Sequence, residues 1–217
     1  MTAAFPIRLG AEPGTAEQKA PQPWLVLAAP GAVFQAVAEG ARPRRALRAL
    51  LLMLPLMPLI FAVVVHDSIR TTLLEDPALV DRAGAAGYLA VLAGLVICLV
   101  QVAMMVANYA LFAVSVRLVG RVRATHRTLI ALWAYAAFPL VLRQICYAIV
   151  VAVMGPDWVV AHASLIGTVD PFLIAVAILF FLGCRKALGL SRARSAVVTV
   201  LTTLIGLVGV FLSGVSL

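Results

Sequence analysis

Apolar residues in this chain come in long runs broken by short polar segments. A bilayer's hydrocarbon core takes about 20 predominantly apolar residues of helix to cross. Five runs approach or exceed that length: about Ala46 to Val65, Gly87 to Val116, Thr128 to Met154, Ser164 to Gly183 and Ser195 to Ser213. The first carries Pro55 and Pro58, and the third carries Pro139 near its middle. Proline in a spanning helix frees backbone carbonyls and kinks the helix, which is tolerable where neighbouring helices re-satisfy them. The second run would extend roughly 45 Å at 1.5 Å per residue, so it must tilt or protrude. The predicted fold class is all-α, a polytopic membrane helix bundle with five transmembrane helices over residues 46–217.

Two segments precede the bundle. Residues 24–45 are moderately apolar: Pro30 fits the first turn of a helix, and Val33, Phe34 and Val37 are spaced to share one face. With Trp24 and Leu25 ahead, this reads either as an amphipathic helix lying in the membrane interface or as an amphipathic linker. Residues 1–23 are rich in Ala, Pro, Gly and Glu and carry no net charge. No basic stretch feeds an apolar one there, so the pattern is not a signal peptide, and the segment reads as a flexible cytoplasmic tail.

Composition agrees with lipid as the main solvent. The chain is 64% apolar and 12% charged, against roughly 25% charged in ordinary soluble domains. Its net charge of +8 raises nucleic acid as a partner, but the basic residues flank apolar runs and have no aromatic residues interleaved for bases to stack on, so none is expected. The charges instead describe an orientation. Arg42, Arg44, Arg45 and Arg48 precede the first run. Arg117, Arg121, Arg123 and Arg127 follow the second, and Arg185, Lys186, Arg192 and Arg194 follow the fourth. The intervening segment 66–86 carries Asp67, Glu75, Asp76 and Asp81 against Arg70 and Arg82, and the segment after the third run has Asp157 and His162 but no Lys or Arg. This alternation is the positive-inside pattern for five spans, N-terminus cytoplasmic and C-terminus outside. Fifteen Arg against two Lys, with abundant Ala and Val, hints at a GC-rich bacterial genome and hence a multi-pass protein of the bacterial inner (cytoplasmic) membrane.

Candidate chemistry is sparse. No P-loop, nucleophile elbow, glycine-rich dinucleotide fingerprint or zinc motif occurs, so no enzyme activity, cofactor or metal is expected. Cys98, Cys146 and Cys184 sit within or at the end of apolar runs without metal or disulfide spacing. His66, Asp67, Glu75, Asp76, Asp157 and His162 gather on the outer side and read as a solvated loop surface rather than a cation site. Asn108, Thr199, Thr202 and Thr203 read as helix-contact residues, and His126 as a headgroup residue. The anomaly is Arg143, fifteen residues into the third run, or roughly 22 Å of helix. An arginine at that depth needs a partner or water. Asp170 and Gln101 lie at similar depth on the fourth and second runs, so Arg143, Asp170 and Gln101 are expected to form one buried polar layer. Such a layer is a transport site, a register-fixing pair, or, for Arg143 alone, a side chain snorkelling to the headgroups.

Several motifs resemble the Yip family of five-span membrane proteins. Thr128, Ala134, Tyr135 and Pro139 are similar to its Ala-Tyr-x-x-x-Pro helix opening. Phe172, Leu179 and Gly183, followed by Leu190, Ser191 and Ala196, resemble its Phe-rich helix and the loop into the last span. Pro30, Phe34 and Pro43 resemble the pre-membrane segment of its bacterial branch. The resemblance covers roughly Pro30 to Leu201 and implies five spans with a cytoplasmic N-terminus. Eukaryotic members bind Rab-type GTPases and one another in vesicle traffic. This chain lacks the Asp-Leu-Tyr-Gly-Pro stretch of their tails, which argues against GTPase binding, and has Ala175 where many bacterial relatives carry Trp. The functional expectation is a non-enzymatic membrane protein that organises or scaffolds other membrane proteins, or serves as an accessory subunit, with the bilayer, other membrane proteins or further copies of itself as partners. The alternative is a small permease or channel using the Arg143/Asp170/Gln101 layer.

Overall fold

The structure, a computed structural model, describes residues 20–53, 56–75, 79–155, 158, 161 and 170–214. Among these it is entirely helical. Two short helices lead, α1 (Leu25–Ala28) and α2 (Pro30–Ala38). Pro30 occupies the first turn of α2, where its missing N–H leaves nothing unsatisfied. Gly40, at φ 95°, turns the chain out of α2 in a conformation that glycine adopts without steric cost. Helices α3 (Arg44–Met53) and α4 (Leu56–Glu75) follow, with Pro55 outside the described residues.

Helix α4 continues ten residues beyond the end expected at Val65. Between Val65 and Glu75 the sequence offers no proline or glycine to stop it, and Leu73 is buried. His66 and Asp67 therefore stand on helix rather than in a loop. A 3₁₀ turn over Val80–Ala85 leads into α5 (Ala86–Leu118), the longest helix.

The run from Thr128 to Met154 divides into α6 (His126–Ala136) and α7 (Pro139–Met154). Thr125 caps α6, its Oγ1 accepting from Thr128 N at 3.2 Å. Pro139 supplies no N–H and its ring crowds the carbonyl four residues back, here Tyr135. That carbonyl instead accepts from Phe138 N at 3.3 Å, and tight three-residue bonds, Leu140 N to Ala137 O at 3.0 Å and Val141 N to Phe138 O at 2.9 Å, carry the chain through the joint. Helices α8 (Pro171–Ala187) and α9 (Arg192–Gly214) complete the chain. Residues 162–169, the start of the expected fourth run, lie outside the described residues.

Helix α5 packs along α4 and α9, while α8 packs against α9, α2, α6 and α7. The core gathers where α2, α5, α6 and α8 meet. Phe34, Phe112, Leu129, Leu132, Tyr135 and Phe180 are all buried there, with the Phe112 and Phe180 rings 5.2 Å apart at 49°. Two stretches are long and apolar enough to cross a membrane, Ala86–Leu118 and His126–Met154. Along α5 the apolar surface is bare: Tyr88 is 83% and Leu99 70% exposed, with Val91, Leu92, Leu95, Val96 and Val106 exposed as well.

Candidate functional site

Arg143 and Asp170 form a direct ion pair. Arg143 projects from α7 and places Nε 2.7 Å from Oδ2 of Asp170. Asp170 is not embedded within a helix; it is the residue that opens α8. Its Oδ1 accepts from Phe172 N at 2.9 Å and from Leu173 N at 3.3 Å. Pro171 follows in the first turn, and an acidic N-cap before an N1 proline satisfies the helix start. The carboxylate thus faces two positive partners, the helix N-terminus and the guanidinium. Its side chain is only 6% exposed and that of Arg143 24%. Oδ2 takes no donor in hydrogen-bonding alignment among the described residues, so its contact with Arg143 is a close charge pair rather than an aligned hydrogen bond. One turn further along α7, the Tyr147 ring lies under the guanidinium, its centroid 5.7 Å from Cζ, within cation–π range.

No hydrogen bond joins Gln101 to this pair among the described residues. Gln101 Oε1 is buried without a hydrogen-bond partner among the described residues. Gln144, the residue after Arg143, is buried with Oε1 likewise unpartnered among the described residues. Tyr147 and Gln144 are absent from the sequence expectation because an aromatic or amide inside an apolar run has no distinctive spacing.

A second polar junction ties α5, α6 and α9. Asn108 Nδ2 donates to Thr202 O at 2.7 Å, and Trp133 Nε1 donates to Asn108 Oδ1 at 2.9 Å. Tyr109 meets the Trp133 ring edge-on, with centroids 5.8 Å apart. Thr202 and Thr203 return their hydroxyl protons to the carbonyls of Val198 and Thr199, at 2.7 and 2.9 Å.

The segment before the bundle is fastened to it. Tyr135 Oη donates to Pro21 O at 2.9 Å, and Arg45 Nη1 donates to Ala20 O at 3.0 Å. Val33, Phe34 and Val37 share one face as expected from their spacing, and that face is closed against protein. The Phe34 ring covers Gly183. The basic segments meet at one end of the molecule: Arg127 Nη2 donates to Gly40 O at 3.0 Å, and Arg194 Nη1 approaches Gly120 O at 3.5 Å. His66 Nδ1 contacts Asp67 Oδ1 at 2.9 Å, and no cluster of three metal-ligating side chains occurs among the described residues. Asp76, Asp157 and His162 lie outside them.

Helices throughout the described residues, two membrane-length apolar stretches among them, a bare apolar helix face and an arginine paired with a helix-capping aspartate define a membrane helix bundle. The family model of the Yip1 domain matches residues 24–213, which is most of the chain, and the protein belongs to that family. The match begins at Trp24, beside the fastened pre-bundle segment. No curated protein and no solved structure matches the chain.

Proposed function

We propose that this Yip1-family protein is a non-enzymatic scaffold or accessory subunit of the inner membrane of a bacterium, threading the bilayer five times with its N-terminus in the cytoplasm and its C-terminus outside. The observation that carries this reading is the Arg143–Asp170 pair. The deepest arginine is joined to a carboxylate that is already capping a helix, so the pair locks α7 to α8, and what remains available to partners is surface. That surface has two parts, the bare apolar length of α5 and the basic end where residues 40, 120, 127 and 194 meet. The meeting of basic segments at one end supports the alternation of loop charge as a topology. The five runs, residues 46–217 as the membrane domain, and residues 24–45 as a segment seated on its cytoplasmic end all belong to this reading.

Gentle extraction of the full chain into nanodiscs, followed by mass spectrometry of what accompanies it, tests the reading. A stoichiometric membrane partner or a defined self-assembly is expected. A lone monomer across mild detergents and native lipid discs would overturn it.

A further inference from the structure

We propose that the turn between α5 and α6 is a binding site for the phosphate headgroup of an anionic lipid. Arg117, Arg121 and Arg123 line a cleft of about 460 Å³, together with Val122 and Ala124. Arg121 holds a left-handed backbone, φ 55°, alone among the described non-glycine residues. Such a backbone is strained for a residue with a side chain and persists where surroundings hold it. The residue before it is closely packed: a Cβ on Gly120 would collide with Val116 O and come within 3.2 Å of Leu190 Cδ2. The turn thus brings Arg121 and Arg123 to the same cleft as Arg117, on the last turn of α5.

None of the three arginines pairs with a described carboxylate. Their neighbours differ: Arg127 and Arg194 donate to backbone carbonyls, Gly40 O and Gly120 O. Arg117 Nη2 lies 3.2 Å from His126 Nε2, while Tyr109 Oη contacts the other ring nitrogen at 3.1 Å. Three uncompensated guanidiniums around one cleft suit a phosphate, whose oxygens accept forked pairs of N–H donors.

The approach to the cleft selects a lipid over a soluble phosphate. Val106, Ala110, Val114 and Leu118 recur every fourth residue along α5 and are all exposed. They form an apolar track of about 18 Å ending beside Arg117, close to the roughly 15 Å depth of one leaflet's hydrocarbon. A headgroup seated in the cleft would lay an acyl chain on that track. The inference rests on the membrane reading only in placing the basic end at a headgroup layer; it needs no scaffolding role.

The test is lipid titration of the purified full chain by native mass spectrometry, using phosphatidic acid, phosphatidylglycerol and phosphatidylcholine, with inorganic phosphate and glycerol phosphate as soluble competitors. Two double variants remove equal charge: R121Q/R123Q in the cleft, and R185Q/K186Q at the end of α8. Monodisperse elution of each confirms folding. The expected result is about tenfold or greater loss of anionic-lipid binding in R121Q/R123Q, against less than twofold in R185Q/K186Q, with phosphatidylcholine weak throughout and millimolar soluble phosphates ineffective. Equal losses in both variants would reduce the effect to general surface charge and overturn the site. Competition by soluble phosphate as strong as that of the lipid would overturn the lipid assignment. Either failure leaves partner recovery from nanodiscs, and so the scaffold reading, untouched.

Discussion

The Phe34 ring lies directly on Gly183: a methyl group added at that glycine would stand 3.0 Å from Phe34 Cε1 and 3.1 Å from Leu132 Cγ. Three elements, α2, α6 and α8, meet at that spot, and Phe34, Leu132 and Gly183 are all buried. The missing side chain on α8 is what lets α2 seat. Gly183→Ala should therefore cost about 1–3 kcal/mol through overpacking, and Phe34→Ala about 3–5 kcal/mol through the cavity left behind. Because the clash is local, both variants should loosen residues 20–38 before the bundle opens. Limited proteolysis in mild detergent should cut that segment earlier in both, with the elution profile of the bundle unchanged. Unaltered cleavage in Gly183→Ala would show that the contact does not hold the segment down.

The Asn108 junction gives a smaller, graded prediction. Hydrogen bonds between membrane helices average about 0.6 kcal/mol and reach about 1.7 kcal/mol, so the two bonds of Asn108 together should contribute about 1–2 kcal/mol. Asn108→Ala removes both, to Thr202 O and from Trp133 Nε1. Trp133→Phe removes one and keeps most of the ring packed against Tyr109. Unfolding in a graded denaturing-detergent series should rank them, wild type most stable, Trp133→Phe next and Asn108→Ala least. The reverse order of the two variants would mean that ring volume, not hydrogen bonding, dominates the junction.

The helical fabric was legible because lipid solvation leaves a strong mark: the run over 87–116 emerges as α5, Ala86–Leu118. What periodicity does not carry is the neighbour of each helix. Gln101 and Arg143 share a nominal depth, yet no hydrogen bond joins Gln101 to the Arg143–Asp170 pair among the described residues. Asp170 was legible as a partner and not as a cap, although Asp170–Pro171 spells an N-cap followed by an N1 proline; the apolar residues before it masked the helix start. The extension of α4 to Glu75 was hidden by its polar residues, which helix tolerates and hydropathy reads as loop. Pro21 and Ala20 were unreadable as contacts because their backbone carbonyls, rather than their side chains, make the bonds.

Topology can be tested by cysteine labelling once the chain's own cysteines are removed. Cys184 is buried, whereas Cys98 and Cys146 are partly or largely accessible, so all three should first be replaced by alanine. Single cysteines at Arg192 and Arg123, both exposed in basic segments, should then react with a membrane-impermeant maleimide only after the inner face is opened. One at Glu75, exposed at the end of α4, should react in intact cells. Labelling of Arg192→Cys and Glu75→Cys from the same side would remove the five-span arrangement.

The Arg143–Asp170 pair allows charge, cap and packing to be separated, because Asn caps helices about as well as Asp. Asp170→Asn should keep the bonds from Phe172 N and Leu173 N while leaving Arg143 without its counter-charge. Arg143→Leu leaves the opposite orphan, a carboxylate that is almost fully buried but still faces the α8 N-terminus. Removing one member of such a pair typically costs about 3–5 kcal/mol, whereas removing both together is often near neutral. The combined Arg143→Leu/Asp170→Asn protein should therefore be more stable than either single variant, a coupling read from a double-mutant cycle. Asp170→Ala should fall below Asp170→Asn by about 1 kcal/mol, the usual worth of an N-cap. Midpoints of heat-induced loss of the monodisperse peak measure all four. Additive losses in the double variant would mean that the 2.7 Å approach of Nε to Oδ2 contributes no coupling, and α7 and α8 would then be held by apolar packing alone. A rescued double variant would instead identify the pair as the lock between those helices, and it would supply a charge-free bundle in which partner binding can be measured without the pair.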